Sequence, residues 1–431
     1  MPPVVLLDVA GLTPRLLAHA PNLAAVGRAL PMVGPLPAVT CTAQATMLTG
    51  EPPSRHGIVG NGWLYRDTME VRFWQQSNRL LQAEPLYAGR RFTCAKMFWW
   101  FNQGAPVDWS VTPKPHYGAD GSKAFGIIDA TDCDLERALG PFPFASFWGP
   151  GAGLASSEWI ARASALVIER NRPRLTLVYL PHLDYDYQRF GPGDPARVRE
   201  VDACAKIVLD AARSIDAKVV VVSEYGIVPV KRADFLNREL RRAGWLAVRD
   251  GPYGEQLDTF ASKAFAVVDH QLAHVYVRDL TLDAVKERLA PLADRFVGPD
   301  HPRSGELVAL ARPDEWFAYP YWLDDARAPD FARTVEIHKK PGYDPCELLL
   351  DPALALPRAR VAWKLLRKAL GFRMLMDVVP LDATLVRGSH GRPPATPEDG
   401  AVLVSSTRRL ERARFAATDI FGHVLERVCG R

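Results

Sequence analysis

Three short runs of apolar residues recur along the chain, and each is followed within a few residues by a carboxylate. Val4-Val5-Leu6-Leu7 leads into Asp8, Leu175 to Leu180 into Asp184, and Val219 to Val222 into Glu224. Continuous apolar runs without alternation suit parallel strands buried on both faces. Between them the pattern changes to a helical period. Residues 157–170 form one amphipathic stretch, and 195–213 form another, with Val201, Ala205, Val208, Leu209 and Ala212 near one face. Strand–helix alternation of this kind predicts an α/β chain whose mostly parallel sheet is covered by helices. Further helices are expected over 14–30, 236–243, 286–292, 357–371 (basic and amphipathic) and 406–428. Strands are expected at 274–277, 306–310 and 401–404.

The stretch Leu36 to Gly50 is the most suggestive segment for chemistry. Small and apolar residues with Thr49-Gly50 as terminator predict a helix, with Thr40 just at its start. Unpaired N–H groups and the helix dipole favour an anion there. A hydroxyl so placed can attack a phosphoryl or sulfuryl group; a plain N-cap role for Thr40 or Thr42 is the simpler alternative. Asp8, Asp184 and Glu224 fall at the carboxyl ends of their strands, where ligands of open α/β sheets collect. Gly388-Ser389-His390-Gly391 presents a histidine between glycines, well suited to a metal. Asn61, in the turn Gly60-Asn61-Gly62, either donates its amide to a substrate oxygen or shapes the turn. His338, in a polar segment with a Pro-Gly turn, is a further candidate ligand.

Composition narrows the field. A net charge of +4 spread along 431 residues gives no case for a nucleic-acid polymer as partner. Six cysteines without CxxC spacing read as free thiols of a reducing compartment, so the cytoplasm is expected. No apolar run is long enough to span a bilayer, and no membrane partner is expected. Aromatic residues crowd 63–159, which reads as an insertion or cap, in part able to stack a planar leaving group.

In this order the pieces resemble the alkaline phosphatase superfamily, nucleotide pyrophosphatase/phosphodiesterase branch. The matching segments are Leu6-Leu7-Asp8, Pro37 to Thr40 through Met47 to Gly50, and His56-Gly57-Ile58-Val59-Gly60-Asn61. Further on they are Tyr179 to Asp184 with Gly191-Pro192, Val222 to Gly226, and Gly388 to Gly391. The resemblance implies one three-layer α/β/α domain over 1–431, with insertions at about 62–156 and about 235–330. It implies a metal-dependent phosphohydrolase with Thr40 as nucleophile, a phosphothreonine intermediate and a small-molecule phosphoester substrate. Two divalent ions, usually zinc, are implied: Asp184 and His390 would bind the first, and Asp8 the second with Thr40 as its bound nucleophile, while Gln188, Glu224 and Tyr225 are further candidate ligands at the positions that depart from the family. Asn61 and Thr42 would face the substrate.

The chain departs from that pattern. Gln188 stands where the family has histidine, Glu224-Tyr225 replaces Asp-His, and the asparagine shortly after the nucleophile is missing from Cys41-Thr42-Ala43-Gln44. Amide oxygen and phenol are poorer zinc ligands than imidazole, so manganese or magnesium becomes an alternative. His182 and His338 are nitrogen donors that the loops can bring in. Two other functions fit the same fold: hydrolysis of a phosphonate, phosphomonoester or sulfate ester, and non-catalytic binding of a phosphorylated ligand.

Overall fold

The computed structural model describes residues 1–119, 123–372, 374–406 and 414–430. Its centre is a nine-stranded sheet. From edge to edge the strands are Phe415–Ala416, Arg28–Val33, Ala401–Ser405, Lys218–Val222, Val4–Val9, Leu175–Leu180, Cys94–Met97, Trp109–Tyr117 and Lys123–Ala130. The five strands from Lys218–Val222 to Trp109–Tyr117 run parallel, whereas Ala401–Ser405 and Lys123–Ala130 run against their neighbours. Every residue of Val4–Val9 and of Leu175–Leu180 is buried, as their unbroken apolar pattern requires. Helices Leu154–Asn171 and Pro195–Ser214 pack together and against the sheet, and Asp419–Cys429 packs on Thr40–Thr49 and Val4–Val9. The result is a three-layer α/β/α arrangement.

Register decides where the carboxylates come out. Asp8 lies level with Tyr179 on one neighbouring strand and Val222 on the other. The residues that follow those two positions therefore emerge along the same edge. Thr40–Thr49 approaches that edge with all ten residues buried. The helix stops at Gly50, which takes a left-handed conformation (φ 70°) and returns its N–H to the Thr46 carbonyl.

Several elements differ from the sequence expectation. Residues 14–30 form two short turns of helix, Arg15–His19 and Pro21–Ala24, and then a strand, because Pro14 and Pro21 interrupt any longer helix. The acidic loop after Leu180 is a helix, His182–Phe190. The aromatic-rich region contributes three strands to the main sheet as well as a covering wall. Of the helix expected over 406–428, residues 407–413 lie outside the described residues. The strand Phe415–Ala416 precedes the helix Asp419–Cys429.

Residues 236–310 build a separate four-stranded antiparallel sheet, ordered Ala264–Asp269, Leu272–Val277, Leu307–Leu310, Arg295–Val297. The hairpin between its first two strands carries His270 in a left-handed conformation (φ 62°). That is uncommon for a non-glycine residue and aims the hairpin tip at the edge of the main sheet.

His56, behind the helix Thr40–Thr49, is buried and neutral. Its Nδ1 accepts from the Ile58 N–H at 3.1 Å, and its Nε2 bonds Thr46 Oγ1 at 3.0 Å. Burial lowers its pKa from 6.5 to about 3. Protonation would set two N–H groups against each other, so its contribution to stability is complete above pH 6.5 and lost as pH falls toward 3. His56→Gln is expected to be less stable than the native chain at pH 7. That deficit should shrink steadily between pH 6.5 and 4, read from urea midpoints at each pH.

Candidate active site

The strand-end carboxylates meet around the start of helix Thr40–Thr49. Thr40 Oγ1 donates to Glu224 Oε2 at 3.1 Å and lies 2.9 Å from the Tyr225 hydroxyl. Tyr225 in turn reaches Asp184 Oδ1 at 3.2 Å. His390 Nε2 lies 3.4 Å from the same Asp184 oxygen. The His390 Nδ1–H donates to the Ala38 carbonyl at 2.8 Å, which leaves the lone pair on Nε2 facing Asp184. The tight loop makes this possible. A Cβ on Gly388 would sit 2.2 Å from the Tyr187 carbonyl oxygen, and Gly391 has φ 118°. The Tyr225 and His390 rings stack at 3.5 Å, nearly parallel.

Two glutamines hold the carboxylates in place. Gln44 Nε2 donates to Asp8 Oδ2 at 3.1 Å and to Glu224 Oε1 at 2.8 Å, while its carbonyl accepts from the Trp100 N–H at 2.8 Å. Gln188 Nε2 donates to Asp184 Oδ2 at 2.7 Å, and Gln188 Oε1 accepts from the Tyr343 hydroxyl at 2.8 Å. Burial raises Glu224 to about 8, and the nearby Asp184 charge adds to this. Burial and then the Glu224 charge push Asp8 well above the ordinary carboxylate range. Like charges removed from water favour a shared proton or a bound cation.

Two buried acceptor atoms, Asp8 Oδ1 and His390 Nε2, have no hydrogen-bond partner. Orphaned acceptors at this depth fit a cation. Asp8, Thr40 and Glu224 are an all-oxygen set suited to a hard ion, and Asp184 with His390 forms a second, smaller set. The glutamine amides and the Tyr225 phenol lie on the same carboxylates and neutralise part of their demand.

The remaining candidates lie elsewhere. Asn61 receives the Cys41 N–H on its Oδ1 at 3.0 Å and donates its Nδ2 to Asp269 at 3.0 Å, so it fixes the helix start. Thr42 is fully buried within the helix, its hydroxyl without a partner. His338 is not brought to the carboxylates; its Nδ1 bonds the Phe73 carbonyl at 3.2 Å. His182 belongs to a different cluster, with Asp186 and Glu200. Arg189 and Arg197 already pair with Asp186, and Arg197 with Glu200, which satisfies those charges without a metal.

The sequence reading missed Asp269, His270 and Tyr343. His270 stands between the Tyr343 ring and the His390 ring, 3.7 Å from each, and its Nδ1 bonds Asp269 at 2.8 Å. They come from the second sheet and a distant loop, and only the hairpin's approach to the main sheet reveals them. A cavity of about 920 Å³ opens over Thr40, Asp184, Tyr225 and His270.

The family model described as type I phosphodiesterase / nucleotide pyrophosphatase matches residues 4–344. No curated protein matches. Among solved structures, phosphonoacetate hydrolase from Sinorhizobium meliloti 1021 in complex with phosphonoacetate is similar at TM-score 0.60 and 16% identity. That match covers 99% of this chain and 95% of the other. The inactive threonine-to-alanine form of murine ectonucleotide pyrophosphatase / phosphodiesterase 5, in complex with AMP, is similar at TM-score 0.58 and 12% identity, covering 100% and 95%. These two likenesses are of fold. The family match spans most of the chain, which therefore belongs to the type I phosphodiesterase / nucleotide pyrophosphatase family, a family of phosphoric ester hydrolases.

Proposed function

We propose that the chain hydrolyses a phosphodiester or pyrophosphate bond with Thr40 as the nucleophile. The observation that carries this reading is the Thr40 hydroxyl itself. It is the first residue of a buried helix, it donates to Glu224 at 3.1 Å, and it opens into the cavity. A proton passing from Thr40 Oγ1 to Glu224 frees the oxygen to attack phosphorus. The Thr40 Oγ–P bond forms as the ester P–O bond breaks, and the leaving oxygen takes up the proton that Glu224 received from Thr40. Water then attacks phosphorus and gives a proton to Glu224, the Thr40 Oγ–P bond breaks, and that proton restores the threonine hydroxyl. The inactive threonine-to-alanine form of the murine relative agrees with a threonine in this role.

Asp8, Thr40 and Glu224 would hold one divalent ion, and Asp184 with His390 a second; Gln188 and Tyr225 would adjoin them through oxygen. Such ions, when bound, supply positive charge against the developing phosphoryl charge and lower the pKa of the attacking hydroxyl. With His390 the one imidazole among the described residues that faces Asp8, Asp184 or Glu224 at close range, magnesium or manganese suits the set better than zinc. A phosphonate, phosphomonoester or sulfate ester is the alternative substrate on the same machinery. The amides on Asp8, Glu224 and Asp184 favour a second reading, a binder of phosphorylated ligands that has given up the ions.

Thr40→Ala should lower turnover of bis(p-nitrophenyl) phosphate by about 10³-fold or more while leaving metal binding largely intact; an unchanged rate removes Thr40 from the mechanism. Chelation should abolish the native activity, with manganese or magnesium restoring more of it than zinc. A chain that binds no ion after metal loading, by elemental analysis, supports the binder. Gln44→Ala leaves Asp8, Glu224 and the Trp100 N–H without their shared partner. It is expected to destabilise the metal-free chain by about 1–3 kcal/mol in calorimetry, with manganese recovering much of the difference.

A further inference from the structure

The cavity above Thr40 is larger and far more apolar than a phosphoryl group needs. Its volume, about 920 Å³, is at the upper end for small-molecule sites. Beyond the polar end, its walls are Trp74, Trp100, Phe147, Trp148 and Tyr185, and then Met374 and Met376. One wall is a helix, Pro357–Ala369, which lies outside the residues matched by the family model. Arg358, Val361, Leu365 and Lys368 of this helix line the cavity. Their spacing of three and four residues puts them on one face.

The opposite face of the same helix is apolar too, and among the described residues nothing covers it. Trp363, Leu366 and Leu370 are 60%, 50% and 65% exposed, and Phe372 just beyond is 59% exposed. No residue of Pro357–Ala369 is fully buried. Basic side chains border this face: Arg360 and Lys364 are tied to Asp377, and Arg367 adds a third charge. From Pro352 to Met376 the sequence has no Asp or Glu. Asp377 offsets one of these three cations, and an apolar face whose margin keeps a net positive charge is complementary to an anionic lipid surface. Across the cavity, Lys114, Lys123 and the half-exposed Phe125 continue the basic and apolar character.

We propose that the substrate is a lipid phosphoester taken from an anionic membrane surface. Pro357–Ala369 lies in the interface, the hydrocarbon enters the aromatic cavity, and the phosphoryl group reaches Thr40. The proposal rests on the phosphodiesterase reading of the site and names its substrate class. No helix among the described residues is long and apolar enough to cross a membrane, so the association is peripheral. The expectation of no membrane partner came from the lack of a spanning segment and does not bear on a helix lying flat.

The full chain is tested by co-sedimentation with phosphatidylcholine vesicles with and without phosphatidylglycerol. Binding is expected only to the anionic vesicles, and it should weaken with salt. In Trp363→Glu/Leu366→Glu it should fall by about tenfold or more, with the soluble bis(p-nitrophenyl) phosphate rate unchanged as the control for folding. Hydrolysis of a long-chain phosphodiester on vesicles should exceed that of its short-chain homologue by about tenfold and be lost in the double variant. No vesicle binding, or equal binding by the variant, overturns the proposal. So does a dimer of the native chain that the variant abolishes, because the face then covers a second copy. Hydrolysis of soluble diester with no preference for chain length overturns the lipid assignment and leaves the hydrolase intact. Vesicle binding with no hydrolysis of either diester overturns the phosphodiesterase reading and the substrate assignment with it.

Discussion

The crowding of three carboxylates in a dry place is the constraint on which this structure turns. Asp8, Asp184 and Glu224 emerge from adjacent parallel strands whose register is locked along their length. Unscreened like charges at this depth repel strongly, and the backbone gives them no room to separate. Everything nearby answers that repulsion. Gln44 bridges two of the carboxylates, Gln188 and Tyr225 donate to the third, and His390 turns a lone pair toward it. The unsatisfied atoms that remain, Asp8 Oδ1 and His390 Nε2, mark where neutral donors fall short.

The supporting parts of the site are as tightly specified as its centre. Asn61 ties the helix start to Asp269, and Asp269 ties His270, whose ring fills the space between Tyr343 and His390. The second sheet is thus a buttress: its hairpin tip fixes the histidine that faces Asp184. Thr40 gains its position from both sides, from the helix that begins with it and from the Glu224-Tyr225 pair beyond the next strand. In the reaction proposed above, a hydroxyl held by these two contacts loses little freedom on reaching a reactive geometry.

The wall of the cavity follows a different logic. Aromatic residues from the sheet's far edge and from the loops before and after the second sheet make an apolar chamber beside a strongly polar cluster. The helix Pro357–Ala369 closes that chamber while showing apolar side chains on its outer side as well. Helices of globular proteins ordinarily bury one stripe and solvate the other. A helix that is apolar on two faces and basic between them has two different media to satisfy.

How much of this was legible in the sequence depended on the kind of signal. The buried parallel strands were, because an unbroken apolar run has few other uses, and so was the helix ended by Gly50. The long helices 154–171 and 195–214 declared themselves by period. The strand Arg28–Val33 did not, since its partner Ala401–Ser405 lies at the other end of the chain and local propensity says nothing of it. Among site residues, Asp8, Thr40, Asp184, Glu224 and His390 stood at strand ends, a helix start or a glycine-flanked turn, positions whose backbone role is written locally. His270, Asp269 and Tyr343 carried no such mark, and neither His338 nor His182 could be assigned a direction from spacing alone. The sequence by itself determined which segments form the sheet and which side chains end its strands, because burial and period are properties of neighbouring residues. Only the tertiary structure decided which donors meet those carboxylates, because that depends on loops whose approach is set by packing between segments hundreds of residues apart.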